Sequence, residues 1–281
     1  MAEASQPRRQ TNVRVVYSDL DGTLLGRGGS LFRTAAGGFT DAGARALTLL
    51  RGHGVELCLC SGRSVHLLRE DARMLGVDRF IAEAGCAIVR DGGASLVLNC
   101  APFGGREGLS VFDEIAATGA PALLLERFGA ALSYHEPWHW DHSFSHLMRG
   151  YIDVTEAETL LAGRGLDSLK VVDNGIIEDR GYGMPVSELH AYHLIPRSAG
   201  KGSAIELDLR LSGLERADAV ACGDSTQDLE MAAAVRTLYL MANAAQNHSG
   251  IAEMLKGLEN VELVSRPMVE GFAEAVAREL G

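Results

Sequence analysis

Val15-Val16-Tyr17-Ser18-Asp19-Leu20-Asp21-Gly22-Thr23-Leu24 is the most informative stretch of the sequence, because an apolar run leads directly into two carboxylates separated by one residue. Side chains at positions i and i+2 of a strand project to the same side, so Asp19 and Asp21 can converge at a strand end. Two carboxylates that close repel each other unless a cation or a shared proton lies between them. Gly22 and Thr23 let the chain turn and leave backbone N–H groups free to face an anion. A surface turn is the alternative, since Asp and Gly are common turn residues.

The composition is that of a globular chain with an acidic balance. The length of 281 residues exceeds the usual size of one domain and suggests two. With 47% hydrophobic and 22% charged residues, the chain does not belong to the disordered class. The formal net charge of −11 argues against a nucleic acid or an anionic membrane as partner, because both require basic patches. A small phosphorylated molecule needs only a few local cations and stays open as a partner.

The cysteines and the N-terminus indicate in which cellular compartment we expect the protein. The five cysteines form no C-x-x-C pair and three of them lie in apolar, strand-like runs: Cys58, Cys60, Cys86, Cys100 and Cys222. We therefore expect buried, reduced thiols and a cytoplasmic location. Residues 1–12 are polar without an apolar core, and no stretch approaches transmembrane length. We expect a loose N-terminal tail and no membrane partner.

Strand-like and helix-like segments alternate at both ends of the chain. The first part predicts strand, helix, strand and helix at 13–18, 41–51, 55–60 and 65–75. The last part predicts helix, strand, helix, strand and helix at 202–211, 217–222, 229–235, 237–241 and 267–280. This alternation predicts an α/β fold with a Rossmann-like parallel sheet that has helices on both faces. Asp19, Ser61 and Asp224 each follow a predicted strand, so we expect them to gather at the carboxyl edge of the sheet, where ligands bind.

The middle of the chain breaks this alternation. It has glycine-rich turns, one helical stretch and short strand-like pieces, at 91–93, 103–105, 109–118, 122–126 and 169–172. We interpret it as an inserted α+β domain. The chain is then divided into a core of residues 1–84 plus 196–281 and an insert of residues 85–195.

Four short motifs stand in order: Asp19-Leu20-Asp21-Gly22-Thr23, Ser61-Gly62-Arg63, Gly200-Lys201-Gly202 and Gly223-Asp224-Ser225-Thr226-Gln227-Asp228. Their order and chemistry resemble the haloacid dehalogenase superfamily of phosphohydrolases. The long insert between the second and third motifs resembles the cap of its type IIB, Cof-like branch, which includes sugar-phosphate phosphatases. The resemblance covers nearly the whole chain and implies a catalytic core covered by a cap, or lid, domain.

The resemblance implies a catalytic role for four residues. Asp19 would be the nucleophile that takes the phosphoryl group, and Asp21 would be the general acid and base. Ser61 would hydrogen-bond the phosphoryl oxygens, and Lys201 would neutralise charge on the nucleophile and the transferring group. Ser61 has an alternative role as a helix cap after its strand.

The resemblance also implies a metal site and substrate contacts. Mg²⁺ is the expected cofactor, held by Asp19, Asp224 and the main-chain carbonyl of Asp21, with Asp228 supporting or joining the ligands. The alternative for Asp228 is a first-turn acid favoured by the helix dipole. The implied substrate-binding residues are Gly22, Thr23, Gly62, Arg63 and Asn243. Asn243 is equally explained as a turn residue, and Ala84-Gly85 stands where many relatives have Asn-Gly.

An aromatic and histidine cluster marks the insert: His135, Trp138, His139, Trp140, His142 and His146. Aromatic rings stack on sugars and histidines hydrogen-bond hydroxyls, so a carbohydrate contact is one interpretation. A zinc site is a second, because His-x₃-His spacing occurs twice. A partly buried lid surface without a ligand is the third, and we favour it.

The function expected from these observations is a Mg²⁺-dependent phosphatase. Its substrate would be a small phosphorylated metabolite, a sugar or polyol phosphate, and its intermediate an aspartyl-phosphate. A phosphosugar mutase would use the same nucleophile but return the phosphoryl group to the substrate. A catalytically silent sugar-phosphate-binding protein is the alternative from another class, although pure binding needs no nucleophile. The sequence does not specify the oligomeric state.

Overall fold

The computed structural model describes residues 13–247 and 250–281, and the tail expected at residues 1–12 lies outside this range. Within it, strands β1 to β12 run over Val15–Ser18, Glu56–Cys60, Phe80–Ala82, Ala87–Arg90, Ser95–Leu98, Leu132–Tyr134, His146–Gly150, Leu169–Ile176, His190–Pro196, Ala219–Gly223, Thr237–Leu240 and Val261–Leu263. Helices α1 to α9 run over Ala42–Gly52, Val65–Leu75, Val111–Ala117, Ala120–Phe128, Val154–Gly163, Lys201–Ser212, Ala244–Asn247, Ile251–Met254 and Met268–Leu280.

A large sheet forms the core, with strand order β12-β11-β10-β1-β2-β3-β4-β5. The strands from β12 to β3 pair in parallel, whereas β4 and β5 add an antiparallel edge. Parallel strands are joined by crossover connections, so helices must pass over the faces of the sheet. The alternation of strands and helices in the sequence therefore produces the expected α/β sheet.

Successive residues of β1 point to opposite faces of the large sheet and enter different apolar cores. Val16 packs in the core that contains Leu50 of α1 and Phe272 of α9. Tyr17 packs in the core that contains Ile205 of α6. A strand buried on both faces reads as a continuous apolar run, which is what residues 15–17 show. The predicted Rossmann-like parallel core with helices on both faces is confirmed.

A second sheet, with strand order β6-β7-β9-β8, is antiparallel throughout. Helices α3, α4 and α5 pack against it, and a third apolar core includes Ile115, Leu124, Leu161 and Tyr192. We call this sheet with its three helices the cap. It supplies the separate antiparallel layer that the sequence pattern predicts between the second and third motifs.

The start of the insert differs from the expected position. We expected it at residue 85, but β4 and β5, which follow Gly85, pair with the large sheet. We therefore propose that the cap begins after Leu98, and that the chain returns to the core after β9, as the sequence predicts. The division into two domains remains a proposal.

Two segments differ from their predicted secondary structure. Residues 122–126 were expected as a strand but lie in helix α4, because Pro121 occupies a favourable position in the first turn and Ala, Leu and Glu are strong helix formers. Residues 229–235 were expected as an α-helix, but a 3₁₀-helix covers Gln227–Ala233. It begins inside the fourth motif, because the Asp228 carboxylate accepts the N–H groups of Asp224 and Ser225.

All five cysteines are free and buried, as expected. No helix among the described residues is both long and apolar enough to cross a bilayer.

A buried carboxylate ties the sheet to helix α6. Asp208 is fully buried and accepts hydrogen bonds from Tyr17 Oη and Arg90 Nη1, both at 2.6 Å. Arg79 Nη1 lies 3.4 Å from the same carboxylate, and Nη2 of Arg79 pairs with the exposed Glu56. One buried acid thus connects β1, β4 and the residue before β3.

Asp208→Asn should lower the free energy of unfolding by about 3 kcal/mol, because it leaves two arginines without their buried counter-charge. The matched control is Glu56→Gln, which removes an exposed partner of Arg79 and should change the free energy by no more than about 1 kcal/mol. Urea unfolding of the three proteins measures both effects. Equal losses in the two variants would contradict a special role for the buried acid.

Candidate active site

Three strand ends bring together the first, second and fourth motifs. Asp19 follows β1, Ser61 follows β2 and Asp224 follows β10. These strands are adjacent and parallel in the order β10-β1-β2, so their carboxyl ends lie side by side. The main-chain N–H of Asp19 donates to the carbonyl of Cys222 at 2.9 Å, which holds the first and fourth motifs together. The expected gathering of these residues at one edge is confirmed.

The ammonium group of Lys201 lies between two carboxylates. Its Nζ donates to Asp19 Oδ1 at 2.7 Å and to Asp228 Oδ1 at 2.6 Å. The lysine is 1% exposed and begins helix α6. Burial would lower the pKa of Lys201, but the two carboxylates outweigh it and hold the pKa well above its usual value. Lys201 therefore stays charged and links the third motif to the first and fourth.

Asp224 is held by neutral hydrogen-bond donors. Thr23 Oγ1 donates to its Oδ1 at 3.0 Å, and Asn243 Nδ2 donates to its Oδ2 at 2.8 Å. Gly22 adopts φ +88°, and a Cβ atom at this position would lie 2.3 Å from Asp224 Oδ2. Glycine is required there both for the turn and for the approach of the carboxylate.

Asn243 has its whole amide engaged by the protein. Its Nδ2 also donates to the carbonyl of Gly22 at 3.0 Å, and its Oδ1 accepts the N–H of Met268 at 2.9 Å. In this arrangement Asn243 positions Asp224 and the first motif.

The carboxylates carry more negative charge than Lys201 offsets. Oxygen atoms of Asp19, Asp224 and Asp228 lie within 4.8 Å of one another. Burial, with repulsion from Asp228 and Asp21 against attraction to Lys201, raises the pKa of Asp19 to about 7. Burial and repulsion from Asp19 and Asp228 raise the pKa of Asp224 well above its usual value. A buried, all-oxygen set with excess negative charge fits a hard divalent cation.

Both oxygens of Asp228 are occupied. Oδ1 accepts from Lys201, and Oδ2 accepts from the N–H groups of Asp224 and Ser225 and from Ser225 Oγ at 2.8–3.0 Å. Burial would raise the pKa of Asp228, but Lys201 and these donors lower it below its usual value. The carboxylate orients the fourth motif and Lys201.

Asp21 lies on the exposed side of the site and is paired with Arg63. Arg63 Nε and Nη2 donate to the two oxygens of Asp21 at 2.9 and 2.7 Å, and Nη1 donates to Asp71 at 2.7 Å. The Asp21 side chain is 57% exposed. The structure thus turns Asp21 towards solvent and Asp19 towards Lys201.

Ser61 is buried at the start of the second motif, and its Oγ accepts the N–H of Arg63 at 3.2 Å. It does not cap the helix that follows, because the N-cap of α2 is Ser64, whose Oγ accepts the N–H of Leu67. The helix-cap interpretation of Ser61 is wrong. Gly62 follows Ser61 and forms part of the surface that meets the cap.

Cap residues that the sequence did not single out reach the second motif. A Cβ atom at Gly62 would lie 2.7 Å from His193 Nε2 and 3.1 Å from the side-chain amide of Asn174. His142, which belongs to the predicted histidine cluster, also lies there, with its Nε2 3.3 Å from the Gly62 carbonyl. His193 and Asn174 stand on β9 and β8, so only the folding of the small sheet brings them here. No local pattern in the sequence distinguishes them.

The histidine cluster of the cap is largely an aromatic packing unit. His139 stacks on Tyr134 with ring centroids 4.0 Å apart, and His146 stacks on Phe112 at 3.9 Å. Burial lowers the pKa of both histidines, that of His146 to about 4. Among the described residues, three metal-binding side chains converge only at the aspartate cluster, so the His-x₃-His pairs build no three-ligand zinc site.

Comparison with known proteins places the sequence among known hydrolases. The sequence model of the haloacid dehalogenase-like hydrolases matches residues 16–101 and 181–262. The phosphoglycolate phosphatase of Metallosphaera sedula is 25% identical over 224 residues, 78% of this chain and 81% of the relative. The phosphoglycolate phosphatase of Archaeoglobus fulgidus is 24% identical over 268 residues, 94% of this chain and 95% of the relative.

Solved structures share the fold. The sucrose-phosphatase from Synechocystis, solved with sucrose and phosphate, superposes with a TM-score of 0.61 at 17% identity and covers 94% of this chain and 97% of that chain. A haloacid dehalogenase-like hydrolase from Bacillus subtilis gives a TM-score of 0.62 at 15% identity and covers 94% of this chain and 99% of that chain. With its four motifs at one sheet edge and its cap between the second and third, the chain belongs to the haloacid dehalogenase-like hydrolases.

Proposed function

We propose that the chain is a Mg²⁺-dependent phosphomonoesterase that acts on a small phosphorylated metabolite through an aspartyl-phosphate at Asp19. The observation that carries the proposal is the buried Lys201 ammonium between Asp19 and Asp228, beside a third carboxylate, Asp224. Simple binding of a phosphate would be served by cations alone. A nucleophile next to one cation and two further acids is suited to covalent phosphoryl transfer.

In the proposed reaction, an Asp19 oxygen attacks phosphorus while the bond from phosphorus to the leaving oxygen breaks. Asp21 gives a proton to that oxygen, and its pair with Arg63 opens when Asp21 is protonated. Water then attacks the phosphorus of the aspartyl-phosphate, Asp21 takes the proton of the water, and the Asp19 carboxylate is released with inorganic phosphate. Lys201 neutralises charge on Asp19 and on the transferring group in both steps.

Arg63 supports this chemistry by orienting Asp21. Its guanidinium is shared between Asp21 and Asp71, and the two-point contact fixes the plane of the Asp21 carboxylate. In the proposed scheme Arg63 reaches the substrate only when one of these pairs opens. Ser61 Oγ and the N–H groups of Gly22, Thr23 and Gly62 are the proposed contacts to the phosphoryl oxygens.

Asp19 and Asp224, with the main-chain carbonyl of Asp21, would hold Mg²⁺. When bound, the ion would offset negative charge on the carboxylates and on the phosphoryl oxygens. Asp228 supports the site indirectly, since Lys201 and the donors around Ser225 already engage both of its oxygens. Thr23 and Asn243 keep Asp224 in place.

We propose a sugar or polyol phosphate as substrate. Relatives of this chain are named for phosphoglycolate, and a structural neighbour is named for sucrose phosphate. The cap contributes imidazole and amide groups beside Gly62, at His193 and Asn174, which suit a polar leaving group.

Phosphate release from a panel of sugar, polyol and carboxylic acid phosphates tests the proposal. With Mg²⁺ present we expect release from one substrate class, and with a chelator we expect none. Isomerised product without free phosphate would indicate a mutase. Binding without either product would indicate a sensor and would contradict the proposal.

Asp19→Asn should abolish turnover, by at least roughly a thousandfold, because an amide cannot act as the nucleophile. The fold should persist, since the change keeps the shape of the side chain. Asp41→Asn, at an exposed aspartate, is the control and should keep full activity. Comparable activity in the Asp19 variant would remove the nucleophile assignment.

Mg²⁺ should stabilise the protein more at about pH 8 than at about pH 5.5. Because burial raises the pKa of Asp19 from 3.8 to about 7, the metal-free protein has a stability contribution from protonated Asp19. That contribution is complete below the ordinary pKa and is lost as the pH rises through about 7. Mg²⁺ binds the deprotonated form, so its effect grows over the same interval.

Thermal unfolding with and without Mg²⁺ at the two pH values measures this difference. The shift in Tm should be absent in Asp224→Asn at both pH values. A shift that is equal at both pH values in the unchanged protein would contradict the link to Asp19.

A further inference from the structure

Glu83 is a buried carboxylate at the junction of core and cap. It follows β3, is fully buried, and adopts φ +50°, a left-handed conformation that is unfavourable for a non-glycine residue. Its N–H donates to the Arg63 carbonyl at 3.0 Å, and the N–H of Ala84 donates to the Ser61 carbonyl at 3.1 Å. The turn that carries Glu83 is therefore attached to the second motif.

The side chain of Glu83 is bound by three donors from one segment of the cap. Its Oε1 accepts the N–H of Ser143 at 3.0 Å, and its Oε2 accepts the N–H of Phe144 at 2.8 Å and Ser145 Oγ at 2.9 Å. These hydrogen bonds compensate the burial of the carboxylate. They also place the cap at a defined position relative to the second motif.

Ser145, which donates to Glu83, also contacts His193. Its Oγ lies 3.4 Å from His193 Nδ1, and both residues are buried. A hydroxyl has one proton, and Ser145 gives it to Glu83, because both Glu83 oxygens already accept main-chain N–H groups and Ser145 Oγ lies 2.9 Å from Oε2. Towards His193 the oxygen must then be the acceptor. It follows that Nδ1 of His193 carries the proton and that Nε2 has a free lone pair.

The free nitrogen of His193 faces the second motif. A Cβ atom at Gly62 would lie 2.7 Å from His193 Nε2, so this nitrogen lies directly over the loop that contains Ser61 and Arg63. Burial lowers the pKa of His193 well below its usual value, which keeps the ring neutral and its lone pair available.

We propose that Glu83, acting through Ser145, holds His193 in the tautomer protonated on Nδ1, so that Nε2 accepts a hydrogen bond from a hydroxyl group of the leaving alcohol. Glu83 and Ser145 are positioning residues, and His193 determines specificity. The inference rests on the proposed function for the identity of the substrate. It predicts a preference for hydroxylated leaving groups, because a carboxylate would bring a second lone pair against Nε2.

The tautomer can be measured without any substrate. Two-bond ¹H–¹⁵N correlation spectra of the full-length, ¹⁵N-labelled protein identify which ring nitrogen carries the proton, and His193→Phe assigns the signal. We expect the Nδ1–H form at neutral pH and loss of this preference in Ser145→Ala. The Nε2–H form or a doubly protonated ring in the unchanged protein would overturn the inference.

A matched substrate set tests the consequence for specificity. Glycerol 1-phosphate, propyl phosphate and phosphoglycolate share a small size and differ in hydroxyl and carboxylate groups. We expect kcat/KM to be roughly tenfold higher for glycerol 1-phosphate than for propyl phosphate, and we expect His193→Phe to remove this ratio. His190→Gln is the control, because positions three apart on β9 face opposite sides of the small sheet.

The two possible failures are distinct. No phosphate release from any of these three substrates or from the panel of sugar, polyol and carboxylic acid phosphates would contradict the proposed function and leave the tautomer measurement to decide the role of Glu83 and Ser145. Release without a hydroxyl preference, or the same ratio in His193→Phe, would overturn the specificity inference while the phosphatase activity stands.

Discussion

The ion pairs of the buried Lys201 ammonium are the interaction on which the rest of the site depends. A charge removed from water costs several kcal/mol unless it is paired with good geometry. Asp19 and Asp228 meet this requirement only if the end of β1, the start of α6 and the turn after β10 lie within hydrogen-bonding reach. The parallel order β10-β1-β2 places these segments side by side. The packing of these segments therefore both stabilises the core and assembles the site.

The same reasoning applies where the cap meets the core. Glu83 is fully buried, and the cap supplies every donor that its side chain receives among the described residues. Glu83 and Ala84 both have positive φ values, so the turn is strained, and its hydrogen bonds to the second motif and the cap compensate that strain. The position of the second motif is thus coupled to that of the cap segment 143–145.

Much of the core follows from local patterns in the sequence. Apolar runs that end in Asp19, Ser61 and Asp224 predict both the parallel strands and the edge at which they end, because strands joined through helices run parallel and end at the same edge of the sheet. The cap was less predictable. The run at 122–126 is short and apolar, so its helix could not be distinguished from a strand by periodicity. Glu83, Asn174 and His193 gain their positions from long-range pairing, and no spacing in the sequence marks them.

Mass spectrometry tests most directly whether Asp19 becomes phosphorylated. The enzyme is quenched with acid during turnover of a substrate from which it releases phosphate. Borohydride reduction converts an aspartyl-phosphate to homoserine, which marks the phosphorylated position permanently. We expect homoserine at position 19, and only when substrate and Mg²⁺ are both present. Homoserine at the position of another aspartate, or turnover without any marked residue, would contradict the role of Asp19 as the nucleophile.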